Sequence, residues 1–163
     1  MDDELNDIWS LYFHDPNDND WTIKSYSKLM NISTISDFWN AIMPFENKLH
    51  FGMFFLMREH IFPCWDDPEN IKGGCLSIKI LKNDVNDFLH NLFMRLVGET
   101  LLIDEKRDLI YNINGISTSP KKHFCIVKIW VNSHDIADKT FYNIPEIYHG
   151  DIIYKPNIEN MNV

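Results

Sequence analysis

The stretch IFPCWDDPENIKGGCLSIKIL, residues 61–81, passes from turn chemistry into an alternating strand. Its first part is broken by Pro63, the run Asp66-Asp67-Pro68 and the pair Gly73-Gly74, which together specify a loop. Its second part, CLSIKIL at 75–81, alternates side chains as a half-buried strand does. From about 84 to 97, Val85, Phe88, Leu89, Leu92, Phe93, Leu96 and Val97 recur at helical spacing, and Gly98 is a natural stop. Loop, strand and long amphipathic helix in immediate succession point to a sheet with helices packed on it.

Further along, residues 108–117 and 123–131 read as antiparallel strands around the turn STSPKK. In the second of these, Cys125, Val127 and Ile129 share one face, and Phe124, Ile126, Lys128 and Trp130 share the other. A short helix is expected at about 134–143 and a last strand near 151–155.

Toward the N-terminus, DIWSLYF at 7–13 alternates, with Trp9, Leu11 and Phe13 on one face. HDPNDND is all turn chemistry and delivers Trp21 at or near a loop tip, and 22–32 reads as a second strand. Thr34 with Asp37 forms a capping-box variant that opens a helix bearing Ile35, Phe38, Trp39 and Ile42. The stretch 49–57 (LHFGMFFLM) fits either a strand or a buried helix by periodicity; its Gly and aromatics favour a strand. The sum is an α+β fold in one domain, residues 1–163, with its core at about 7–155 and frayed ends at 1–6 and 156–163.

Composition narrows the function. The chain has 163 residues, 45% of them hydrophobic and 13% aromatic, a globular composition. Its net charge of −9 argues against long contacts along a nucleic-acid backbone, which require an excess of Lys and Arg. It leaves room for a small site reading one nucleotide. The three cysteines, Cys64, Cys75 and Cys125, have no metal-ligand spacing. No signal-peptide core and no apolar run of about 18 residues occurs, so a cytoplasmic protein without membrane, metal or cofactor is expected. Abundant Asn, Ile and Lys suit an AT-rich genome, as in a parasite or virus. His14-Asp15, His134-Asp135 and Asp66-Asp67 do not assemble a nucleophile, base and orienter, so no enzyme is expected.

Trp21 and Trp65 both fall in polar loops, where core packing gives no reason for a Trp. Two such rings can sandwich a flat base, most strongly a cationic one. Asp66, next to Trp65, can accept from a pair of donors on a guanine edge. Lys121, Lys122 and His123 share one turn, and Lys128 lies in phase with Trp130; these suit phosphates.

These landmarks stand in one order: W-S-L-Y-F at 9–13, Trp21, D-F-W at 37–39, I-F-P-C-W-D-D-P-E-N-I-K-G-G at 61–74, L-V-G-E at 96–99 and a Gly115…K-I-W strand ending at Trp130. In that order the chain resembles the eukaryotic initiation factor 4E family over about Asp7 to Trp130, with all five tryptophans on family positions. The resemblance implies a curved antiparallel sheet with about three helices on its convex face and the 7-methylguanosine cap of messenger RNA on the concave one. Trp21 and Trp65 would then stack the base, Asp66 bind its Watson–Crick edge, Trp130 contact the N7-methyl and Lys121 the phosphates. Ile35, Trp39, His90 and Met94 would dock a helix of the scaffold subunit 4G, or of a repressor with a YxxxxLφ-type helix, on a monomeric protein.

The sequence also departs from the family. Asp66 stands where Glu is usual, Cys75-Leu76 where Arg-Trp often follows the Gly pair, and Ile126 where a Lys is common. The family's N-terminal segment with its His-Pro pair has almost no counterpart. Two alternatives therefore stand beside an initiation factor: a cap-sequestering repressor without scaffold binding, and an interaction module that has lost the cap.

Overall fold

The structure, a computed structural model, describes residues 3–158. Seven strands, β1 (Glu4–His14), β2 (Tyr26–Thr34), β3 (Met53–Arg58), β4 (Gly74–Leu81), β5 (Ile113–Pro120), β6 (Phe124–Val131) and β7 (Ile153–Pro156), form one curved antiparallel sheet. Their order across it is β2-β1-β3-β5-β6-β4-β7. The helices are α1 (Ile35–Ile42), α2 (Pro68–Ile71) and α3 (Lys82–Val97).

Strand parity divides the side chains between two environments. On one face Trp9, Leu11, Ile32, Leu56, Ile78 and Val127 meet the apolar stripe of α3 (Val85, Leu89, Leu92, Phe93, Leu96) and Phe38 and Ile42 of α1 in the main core. On the opposite, open face Tyr12, Phe55, Met57, Cys75 and Trp130 form a smaller cluster with Ile61. The facing of β6 follows the sequence reading residue by residue: Cys125, Val127 and Ile129 are fully buried in the main core, while Lys128 is exposed.

Local chemistry sets the helix ends. Thr34 and Asp37 complete the expected capping box, the Thr34 hydroxyl accepting from Asp37 N and the Asp37 carboxylate accepting from Thr34 N. The Asp37 carboxyl is held below the usual range, chiefly by accepting from the Ser33 backbone and hydroxyl. At the end of α3, Gly98 is still right-handed, and Glu99 takes the left-handed conformation at φ 59°. Bonds from Glu99 N to Leu96 O (3.2 Å) and from Thr100 N to Arg95 O (2.9 Å) close a Schellman motif one residue past the expected stop.

Several expected boundaries move because short 3₁₀ turns satisfy the backbone before a strand or helix can. β2 begins at Tyr26 rather than 22, since Ser25 folds back on Thr22 O through both its N–H and its hydroxyl. Leu49–Phe51 is a turn, and the strand expected at 49–57 starts at Met53. Asp104–Asn112 is a 3₁₀ run, so β5 starts at Ile113 and takes in Ser117–Pro120; the turn to β6 is only Lys121–His123. The helix expected at 134–143 is two 3₁₀ turns, each with its own cap, Ser133 Oγ on Asp135 N and Asp138 Oδ1 on Thr140 N. Of the three helices, α1 and α3 cover the sheet, whereas α2 is four residues long and sits in the β3–β4 loop. Of the expected frayed ends, residues 4–6 belong to β1 and Pro156 to β7; residues 1–2 and 159–163 lie outside the described residues.

One buried cation ties the early strands to β5. Arg58, 2% exposed, donates to Ile113 O (2.7 Å), Ile110 O (3.0 Å) and Asp7 Oδ2 (2.6 Å), and its guanidinium lies 4.5 Å from the Trp9 ring centroid. Arg58→Met removes hydrogen bonds to two buried carbonyls and the ion pair with Asp7. It should lower unfolding free energy by roughly 3 kcal/mol or more in urea melts; an unchanged midpoint would remove Arg58 from the list of structural anchors.

Candidate functional site

Two loops rise over the open face. The first, 15–25, is built from carboxylates that turn the chain locally: Asp15 accepts from Asn17 N, Asp18 from Asp20 N and Asp20 from Thr22 N, at 2.9, 2.9 and 2.8 Å. This staircase ends at Trp21, which is 51% exposed. The indole stacks flat on the buried imidazole of His14, centroids 3.9 Å apart and planes parallel. Tyr26 packs edge-on against both rings and continues the aromatic row toward Phe62 and Phe55. Burial pushes the Tyr26 hydroxyl up to about 12.

The second loop joins β3 to β4 and carries Trp65, 44% exposed. Its frame is a buried asparagine network. Asn70 donates to Phe62 O (3.0 Å) and Cys64 O (2.8 Å); Asn114 donates to Asn70 Oδ1 (2.9 Å) and Glu69 O (3.0 Å); Asn157 donates to Asn70 O (2.8 Å). Asp67 caps α2 through Glu69 N and also accepts from Phe62 N. Gly73 and Gly74 allow close passage, since a Cβ on them would meet Val131 O at 2.0 Å and Lys155 O at 2.2 Å. Trp65 is thus presented by a rigid loop.

Between the loops lies a cleft of about 610 Å³ lined by both Trp21 and Trp65, with Asp66 on its wall and Phe55, Ser117, Lys128 and Trp130 among its other walls. Trp130 is 7% exposed and pinned by its Nε1–H on Ser117 Oγ at 2.9 Å. A second cleft of about 740 Å³ shares Trp21, Cys64 and Asp66 with the first and adds Ile23, Lys24 and Phe62. The Cys64 thiol is pushed up to about 11 by burial and by its hydrogen bond with the Asp66 side chain. The Cys75 thiol, pushed up to about 12 by burial, feels the Lys128 charge.

The sequence-expected residues therefore fall into groups. Trp21, Trp65, Asp66, Lys128 and Trp130 converge on one cleft. Lys121, Lys122 and His123 do not line it; they form the exposed β5–β6 turn just beyond Ser119, which does. Ile35 (43% exposed), Trp39 (37%) and Met94 (38%) are exposed on α1 and α3, and the Trp39 ring lies 5.3 Å from that of His90. Lys24 and Lys155 escaped the sequence reading. Lys24 sits in the 3₁₀ turn that replaces the expected start of β2. Lys155 becomes a neighbour only through pairing: it lies opposite Cys75, which lies opposite Trp130. Among the described residues no group of three or more His, Cys, Asp or Glu could hold a metal ion, and no helix is long and apolar enough to cross a membrane.

The family model for eukaryotic initiation factor 4E matches residues 4–154. The chain belongs to that family. It is 28% identical over 142 residues to a translation initiation factor 4E of Candida albicans; the match covers 80% of this chain and 65% of the relative, just under two thirds of its length. Among solved structures, the fold superposes on a schistosome family member complexed with m7GpppA and a 4E-binding protein (TM-score 0.81, 23% identity), covering 100% of this chain and 92% of that one. It also superposes on a C. elegans member complexed with the 4E-binding protein Mextli and a cap analogue (TM-score 0.79, 18% identity), covering 100% and 97%.

The asparagine frame makes a direct expectation. Asn70→Leu removes the hydrogen bonds to Phe62 O and Cys64 O and the one from the Asn114 amide, at roughly 2–4 kcal/mol. Amide exchange over 62–73 should quicken first; exchange unchanged there would show that the loop is held some other way.

Proposed function

We propose that the cleft binds the 7-methylguanosine cap of messenger RNA and that the chain serves translation initiation by presenting the capped end to a scaffold protein. The observation that carries this reading is the pair of exposed tryptophans, Trp21 and Trp65, on separate loops along one cleft whose other walls include Trp130 and Asp66. Exposed indoles cost solvation that a bound aromatic ring would recover, and a ring that carries positive charge gains cation–π attraction from both faces.

In this reading N7-methylguanine slides between Trp21 and Trp65 with its methyl toward Trp130. Its N1–H and N2–H₂ donate to the Asp66 carboxylate, which leaves its contact with Cys64 to accept them. Asp is one methylene shorter than the usual Glu, and the rigid presentation of the loop by Asn70 compensates by fixing where that carboxylate starts. The phosphates leave past Lys128 toward the Lys121-Lys122-His123 turn, with Lys155 on the neighbouring strand. Membership in the family supports the reading, and so do the related structures that hold a cap ligand. Ile35, Trp39, His90 and Met94, exposed or half-buried on α1 and α3, would receive a scaffold or repressor helix. No covalent step, metal or cofactor enters this scheme, and the chain would act as a monomeric cytoplasmic domain.

The test is a fluorescence titration with 7-methyl-GTP and with GTP. Saturable quenching and a clear preference for the methylated ligand are expected; equal, weak binding of both would refute the cap site. Trp21→Ala and Trp65→Ala should each lose about 1–3 kcal/mol of binding, and affinity retained in both would rule out the sandwich. Trp39→Ala should leave the titration unchanged while weakening a YxxxxLφ peptide by about 1–3 kcal/mol. A wild-type protein that binds no such peptide would remove the scaffold half of the proposal.

A further inference from the structure

We propose that His14 is a positioning residue for the ligand site: its buried imidazole is a flat plate behind Trp21 that fixes the indole so that its opposite face stays turned to an incoming base. The inference rests on the cap-cleft reading for the identity of the base, and on the following geometry for the rest.

Trp21 sits at the end of an exposed loop, and an indole there should sample many orientations. Each orientation lost on binding costs affinity, so a ring already set in place binds more tightly. His14 does the setting. It closes β1, is 0% exposed and lines neither cleft. Its ring lies parallel to the indole at 3.9 Å. One face of Trp21 is therefore covered from the protein side, while the residue as a whole remains 51% exposed.

The plate is itself locked. His14 Nε2 lies 2.8 Å from Asp20 O. A carbonyl can only accept, so Nε2 carries the proton, and in the neutral ring Nδ1 is a bare lone pair. That Nδ1 is buried and has no hydrogen-bond partner among the described residues. A single directional bond to the residue just before Trp21 thus ties plate and indole to the same peptide. Tyr26 braces the imidazole edge-on at 5.1 Å, from the first residue of β2. Neighbouring strands grip His14 on both sides, opposite Tyr26 and opposite Met53.

Two substitutions separate the ring from its hydrogen bond. His14→Phe keeps a flat plate and loses the donor; His14→Gln keeps a donor for Asp20 O and loses the plate. With far-UV circular dichroism confirming the fold, His14→Phe should bind 7-methyl-GTP within a few-fold of wild type. His14→Gln should bind roughly tenfold more weakly, the size expected for a lost aromatic pair. Wild-type affinity in folded His14→Gln, or equal loss in both variants, would overturn the plate. Proton NMR of the unaltered protein needs no variant: the His14 ring protons should be shifted upfield by the stacked indole and should stay so when 7-methyl-GTP saturates the site. Ordinary positions would mean that no stack forms, and a shift lost on saturation that the indole leaves the plate to bind; either would also overturn the proposal. Absence of any 7-methyl-GTP binding by the wild type would instead sink the cap reading and leave the NMR signature to decide the His14–Trp21 stack alone.

Discussion

The rest of the molecule depends on the two-residue alternation of the strands. A single register slip in β6 would turn Cys125, Val127 and Ile129 out of the main core and bring Lys128 into it. The same alternation points Trp130 at the open face and holds it opposite Cys75 and beside Ser117, so the core that stabilises the sheet also aims the floor of the cleft. Packing of α1 and α3 pins the register from one side only. The other side is left free to carry polar groups beside its aromatic ones.

That division explains why the two loops are built differently. The β1–β2 loop has few groups to bury and uses aspartates to satisfy its own amides one turn at a time. Its order at Trp21 is borrowed from an aromatic row seated on the sheet. The β3–β4 loop packs against the start of β5 and buries backbone carbonyls, which require donors. Asn70, Asn114 and Asn157 supply them from three separate parts of the chain. Both strategies end in an exposed indole on a hydrogen-bonded loop.

Much of this was legible in the sequence. Strand parity, the capping box at Thr34, the stripe of α3 and the two loop tryptophans follow from local pattern and from side-chain chemistry, and each is found where it was read. The illegible parts are of two kinds. The first is the set of 3₁₀ turns at 23–25, 49–51, 104–112, 134–136 and 139–141. Their apolar spacing imitates a strand or helix, and only hydrogen bonds such as Ser25 to Thr22 reveal the difference. The second is partnership across long sequence separations. Nothing near Asn70 announces Asn114 or Asn157, and Lys155 becomes part of the open face only because β7 pairs with β4. His14 was visible as a residue in a turn-prone segment, but its stack on Trp21 depends on how far β1 runs before the loop begins.

The charge of the chain also constrains what the open face can hold. At −9 overall, the protein repels a polyanion at a distance, and the few lysines around the cleft cannot reverse that field beyond about a Debye length. A ligand must then be selected at close range, by groups whose attraction does not depend on net charge. Two indoles along one cleft would do this for a flat cation, and a carboxylate beside them would repel any ring that offers acceptors in place of donors. The proposed ligand, a positively charged base at the end of an anionic chain, would meet both conditions, its attractive part entering the cleft and its repelled part staying in solvent. The acidic composition, which argues against a general nucleic-acid binder, is thus compatible with the proposed reader of one modified nucleotide, whose few phosphate contacts would give a shallow dependence on salt.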